Sequence, residues 1–207
     1  MKTNLKITSI AALAVLLAGS AVAEEMVKLE LDLPKPLFAG TPKSIKTPNL
    51  ERTPSVTEVM VPAGTVNVAA GKEVGGSDDF PVIGELEYIT DSDKDGAEGS
   101  YVELGPGVQW VQIDLGDSKT IYAVALWHYH AQARAYRDVI IQVADDADFI
   151  ENVQTVFNND HDNSAGLGIG KDKEYIETNK GKLVDAKGAK GQFVRLYSNG
   201  STGSDMN

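Results

Sequence analysis

Cysteine is absent from all 207 residues, which excludes disulfides, thiolate metal sites and cysteine nucleophiles. It also excludes lipid attachment: "LAGS" at 17–20 has the shape of a bacterial lipoprotein box but carries Ser20 where the modified cysteine would stand. Histidine is nearly as scarce, with only His128, His130 and His161. Basic side chains are few, 19 against 30 acidic ones, for a net charge of −11. That sign argues against nucleic acid and anionic membrane surfaces as partners, because both repel an acidic chain. Beyond the N-terminus no apolar run approaches the roughly 20 residues that span a bilayer. Strong helical periodicity and internal repeats are missing as well.

What the chain does have begins with a leader. Lys2 and Lys6 precede an apolar stretch from Ile7 to Leu17, followed by Ala21-Val22-Ala23, a small-x-small cleavage site. Residues 1–23 therefore read as a signal peptide, and the expected location is secreted, periplasmic or on the cell envelope. Its removal takes the net charge from −11 to −13. Residues 24–65 hold six of the eight prolines (Pro34, Pro36, Pro42, Pro48, Pro54 and Pro62). Such a stretch cannot carry a helix or a central strand, so we expect an extended lead segment, partly packed through Leu37 and Phe38. With 42% hydrophobic residues the remainder can build a core. An exported domain without disulfides needs that core, or a bound metal.

From residue 66 short apolar runs alternate with Gly, Asp and Asn. "WVQIDLG" (110–116) sets Val111, Ile113 and Leu115 on one face. "DVIIQVADD" (138–146) does the same with Val139, Ile141 and Val143, and "QFVRLYSN" (192–199) opposes Val194 and Leu196 to Phe193, Arg195 and Tyr197. Alternation of period two between turn residues indicates antiparallel strands with one dry face. "TIYAVALWHYH" (120–130) is the longest candidate, and its imperfect alternation suggests a bulge. The expected fold is an all-β sandwich of two sheets.

The order of these motifs is also informative. "NVAAGKEV" (67–74), "ITDSD" (89–93), "WVQIDLG" (110–116), "IYAVALW" (121–127), "DVIIQVADDADF" (138–149) and "GQFVRLYSNG" (191–200) follow one another as in the discoidin, or coagulation factor 5/8 type C, family. The chain resembles that family over roughly residues 66–207. The resemblance implies its galactose-binding-like jelly-roll sandwich, and a ligand among sugars, lipids or proteins. Two departures stand out. The family's closing strand, of the type "xYxEVxVxG", has no counterpart before "GSDMN", so we expect a sheet edge without its C-terminal strand. The connection "NNDHDNSAGLGIGKD" (158–172) is longer and more polar than usual.

Three stretches bear chemistry. "ITDSDKDG" (89–96) places Asp91, Asp93 and Asp95 at alternate positions before Gly96, the opening of a calcium loop. An EF-hand is excluded, since its twelfth position is Val102 rather than a bidentate glutamate. In the family the matching turn holds a structural calcium through its aspartate, neighbouring carbonyls and a glutamate of the closing strand. Asp91 carries over best, Asp93 next, and Asp95 has no clear counterpart. The plain alternative is a solvated acidic turn. "WHYHAQARAYRD" (127–138) gathers rings and donors: His128, His130, Arg134 and Tyr136 are the candidate ligand residues, while Trp127 is better suited to packing. A zinc site of His128, His130, His161, Asp160 and Asp162 would require two clusters about 30 residues apart to meet. The glycine-rich part of 158–172 lacks the strand and helix of a phosphate-binding turn and reads as a rim loop or a second cation site.

The resulting expectation is a secreted, non-catalytic binding module, most simply for carbohydrate, with calcium as a structural staple. The alternative is an envelope adhesion or assembly protein that binds another protein through the same loops.

Overall fold

The computed structural model describes residues 24–38, 44–51 and 58–207. The leader expected at 1–23 lies outside the described residues. Among them the only helical element is a single 3-10 turn, Leu86–Ile89; the rest is β-structure and loop. In chain order the strands are β1 (Met26–Lys28), β2 (Met60–Pro62), β3 (Val74–Gly76), β4 (Gln109–Leu126), β5 (Ile140–Ala144), β6 (Gln154–Asn158) and β7 (Lys182–Ser198). All ladders are antiparallel. β1 and β2 form a small sheet, and the other five form a sheet in the order β3-β4-β7-β5-β6. The fold is the β-sandwich of galactose-binding-like type expected from the motifs.

The central element is the ribbon of β4 and β7. Gln109–Asp114 pairs with Phe193–Ser198, and Lys119–Leu126 pairs with Lys182–Gly191, with register shifts at 114/119 and 121/123. The second shift is the bulge suggested by the broken alternation of 120–126. β5 pairs only with the 193–197 half of β7, so the other half of the ribbon leaves the five-stranded layer. Both halves nonetheless feed one core: Ile113, Leu115 and Val194 from the first, and Ile121, Leu126, Val184 and Ala186 from the second. The ribbon thus folds over the apolar side chains it supplies, and Ile141, Val143 and Phe157 of β5 and β6 complete the packing. Each fully buried aliphatic side chain contributes about 1.5–3 kcal/mol relative to exposure.

β5 is buried on both faces. Val139, Ile141 and Val143 face the core as their alternation requires, and Ile140 and Ala144 are equally inaccessible. Gln142, also buried, satisfies its amide on Thr155 Oγ1 at 3.1 Å. Alongside it Arg195 lies between the rings of Trp110 and Phe149, at 4.3 and 4.0 Å, and donates to Gln112 Oε1 and Ala147 O. A polar row, Gln112–Arg195–Gln142–Thr155, therefore crosses the sheet on the side opposite the core.

The lead segment is tied to the sandwich at several points. Val59, just before β2, and Val61 within it are almost wholly buried. Asn179 Nδ2 donates to Pro34 O at 2.8 Å, Leu50 forms a bridge with Glu174, and Lys182 pairs with Glu51 at 3.8 Å. Leu37 is exposed and Phe38 half-buried, so the segment packs chiefly through residues further along.

Candidate functional site

β4 ends at Leu126, and residues 127–139 cross the end of the sandwich before β5 begins. Trp127, at the start of this crossing, packs and does not protrude: its Nε1 donates to Asn179 O at 3.0 Å, and Gly181 lies so close beneath the ring that a Cβ there would come within 2.7 Å of it. Positions 128–130 lie outside the strand, so the two imidazoles do not share a strand face. His128 Nδ1 meets Glu177 Oε1 at 2.7 Å, and its ring lies parallel to Tyr136 with centroids 4.2 Å apart. His130 turns the other way. It is 1% exposed, and its Nε2 donates to Lys94 O at 2.9 Å, holding the aspartate turn from beneath. His130 thus braces a loop, while His128 stands beside the crossing's polar residues.

Arg134 and Tyr136 line a cleft of about 130 Å³ with Tyr101, Glu103, Tyr129 and Asn207. The Arg134 guanidinium lies over the Tyr129 ring at 4.6 Å, and Tyr101 meets Tyr129 edge to face at 4.9 Å. Among the described residues no carboxylate lies within ion-pairing distance of Arg134, and its buried Nε has no hydrogen-bond partner. Planar donors with unused capacity beside three phenols can take up hydroxyl or carbonyl oxygens of a guest. Burial pushes the Tyr136 phenol up to about 12 against the opposing pull of Arg134, so near neutral pH it is an uncharged donor.

That shift has a consequence for stability. The unfolded chain ionises Tyr136 at its ordinary pKa near 10 while the folded chain resists until about 12, so its contribution is intact below pH 10 and is lost as pH rises through 12. We expect Tyr136→Phe to flatten the decline in unfolding free energy between pH 10 and 12 by about 2–3 kcal/mol. Urea titrations at pH 8, 10 and 11.5 measure it, and an unchanged decline would place the ionisation elsewhere.

The aspartate run does not converge. Asp91 Oδ1 accepts the backbone N–H of Asp93 at 2.7 Å, and Asp93 Oδ1 accepts that of Asp95 at 2.8 Å. The Asp95 amide is also the main cause of Asp93's lowered pKa. Among the described residues the acidic group that can hold a metal ion is Asp138, Asp160 and Asp162, whose ligand atoms lie within 4.8 Å of one another. It draws on the 158–172 loop. Asp160 is fully buried and accepts the amides of Ser164 and Ala165, and Asp138 accepts Ser164 Oγ at 2.6 Å and Asn199 Nδ2 at 2.8 Å. The hydroxyl and amide of Ser164 hold the exposed Asp162 carboxyl below its usual range. None of the three histidines belongs to this group. The rest of the loop folds back along β6, where Asn158 Nδ2 donates to Gly168 O and leaves an open groove of about 320 Å³.

Of the ligand residues expected from the sequence, Arg134 and Tyr136 line the cleft, His128 stacks on Tyr136 and His130 lies under the aspartate turn, while Asp138, at the end of the same stretch, joins Asp160 and Asp162. Tyr101, Glu103 and Glu177 complete the surroundings of the cleft. These come from loops remote in the chain and carry no local pattern of their own.

The profile of the NedA-like, galactose-binding domain family, of F5/8 type C class, matches residues 88–196, more than half of the chain. No curated protein matches the sequence significantly. Among solved structures the chain is similar to CpGH89 from Clostridium perfringens in complex with GlcNAc-α-1,4-galactose, at 14% identity and a TM-score of 0.51, covering 69% of this chain and 13% of that one. It is also similar to the CBM32 of AlyQ in complex with 4,5-unsaturated mannuronic acid (14% identity, TM-score 0.46, 65% and 87% covered). A third likeness is to SpX-3, a fucose-binding module of Streptococcus pneumoniae (19%, 0.42, 66% and 89%).

Proposed function

Because the chain belongs to the NedA-like, galactose-binding domain family, we propose that it is a non-catalytic carbohydrate-binding module whose ligand enters the cleft between Arg134 and the tyrosines. The observation that carries this reading is Arg134 itself, a guanidinium laid on Tyr129 with donor capacity unspent, in a cleft walled by phenols. Sugar hydroxyls need such fixed forks, and the C–H faces of a sugar ring need apolar ring surface. The leader at 1–23 would deliver the module outside the cytoplasm, where glycans are met. Calorimetric titration with galactose, fucose and N-acetylglucosamine, preceded by a glycan array, tests the reading. Absence of binding to any glycan would sink it.

A structural cation forms part of the proposal. The donors at Asp138, Asp160 and Asp162 are carboxylate oxygens gathered within 4.8 Å of one another, the ligand type that suits calcium, whereas the aspartates at 91–95 form no such group. Calcium is expected to raise the melting temperature, and Asp160→Asn to abolish that rise, because a ligand stabilises only the state that binds it. If Asp91→Asn abolishes the rise and Asp160→Asn does not, the cation belongs in the aspartate turn.

A protein ligand is the second reading, favoured by Phe80 and Val82. They are 86% and 56% exposed on a loop whose backbone is bonded to Glu103 at the cleft. Phe80→Ala would then abolish partner capture while leaving glycan titrations unchanged.

A further inference from the structure

Glu177 is completely buried, in a loop about 50 residues from the crossing that carries the cleft. Its backbone N–H donates to Arg134 O at 2.8 Å, and its Oε1 accepts His128 Nδ1–H at 2.7 Å. One residue therefore grips both ends of the 128–134 segment. Through His128, stacked at 4.2 Å and 15° on Tyr136, it also backs the ring that walls the cleft. Its second oxygen, Oε2, is buried, and the buried Tyr175 hydroxyl stands beside it, where burial and the neighbouring Glu177 hold that phenol well above its usual range. Enclosing a carboxylate is costly, and apolar residues of similar volume would fill the same space more favourably. The charge at 177 is thus poorly explained by packing alone. A carboxylate that can only accept forces the proton of His128 onto Nδ1 and leaves Nε2 as the ring's one free polar atom.

We propose that Glu177 is a positioning residue of the cleft: it fixes the tautomer and plane of His128, and so the placement of Tyr136 and Arg134 against a saccharide. This rests on the saccharide reading above. Two measurements test it on the full chain, with galactose, fucose and N-acetylglucosamine as probes. Ring 15N spectra at pH 7 should show His128 protonated at Nδ1 in the wild type and a mixture of tautomers in Glu177→Gln. Calorimetry should show the variant binding the recognised sugar at least tenfold more weakly at a nearly unchanged melting temperature. Glu177→Asp, which keeps the charge but shortens its reach, should fall between the two, and it carries the same test if the glutamine variant fails to fold. An unchanged tautomer overturns the proposal, as does an altered tautomer with unchanged affinity; in either case sugar binding by the wild type leaves the saccharide reading standing. If the wild type binds none of the probes, the saccharide reading fails and the proposal falls with it, while the spectra still report the His128–Glu177 bond.

Discussion

Gly191→Ala is expected to cost the sandwich about 3 kcal/mol or more, at or beyond the top of the range for overpacked interiors. A Cβ at this position would stand 2.4 Å from the Ala144 carbonyl oxygen and 2.7 Å from Val143 Cγ1. The nearest obstacle is backbone of β5 and cannot rotate away, so β5 and β7 must separate where the sheet is most deeply buried. Urea unfolding should show a lower midpoint with an unchanged slope. Gly75→Ala in β3 is the control. Nothing lies within 4 Å of the added methyl, and the loss of unfolded-state freedom should leave stability unchanged or raised by about 0.4–1 kcal/mol. Equal losses in the two variants would mean that the close approach of β5 to β7 is not a constraint.

Arg134→Ala should weaken saccharide binding by about 1–3 kcal/mol, roughly five- to 150-fold, because the guest's oxygens lose a fork of charged donors. Folding should change less, since the guanidinium makes no ion pair among the described residues and its contacts are the Tyr129 ring, the neighbouring Tyr136 and a long one, 3.5 Å, to Gln132. Arg134→Lys should restore little of the affinity: a lysine keeps the charge but not the planar pair of donors or the flat contact with Tyr129. Calorimetry of the three proteins against one sugar decides the matter. Unchanged affinity in the alanine variant would move the ligand away from this cleft.

Much of the fold could be read from side-chain alternation. Val111, Ile113 and Leu115, and Val194 against Arg195, point where period two places them, because both strands are regular over those residues. The other half of β7, "KLVDAKGAKG", escaped notice. Lys187 and Gly188 adopt positive φ, and the register of the ribbon shifts nearby, so the apolar positions Val184, Ala186 and Ala189 lose their period. β6 was hidden by a similar irregularity, a shift opposite Ile141 and Gln142. The site divides along the same line. Rings and donors concentrated in 127–136 are visible in a linear text, whereas Glu177, Tyr101 and Glu103 join them only through tertiary contact. The aspartate run shows that spacing alone does not assign a role. Alternate aspartates in a turn can converge on a cation, but each can equally accept the amide two residues on, and here Asp91 and Asp93 do so.

The β4–β7 ribbon also sets how the chain reaches its native state. Its partners, 109–126 and 182–198, are separated by more than fifty residues, so none of its ladder forms until that long loop closes. The β5–β6 hairpin spans only residues 140–158 and can assemble first, but it remains an isolated pair of strands with Ile141 and Val143 in water until β7 arrives. Topologies dominated by such distant pairings fold in milliseconds to seconds, not microseconds. During that interval the unpaired edge of β5 is open to any other extended chain. Arrival of the last long strand is the step that separates a finished sandwich from an aggregate.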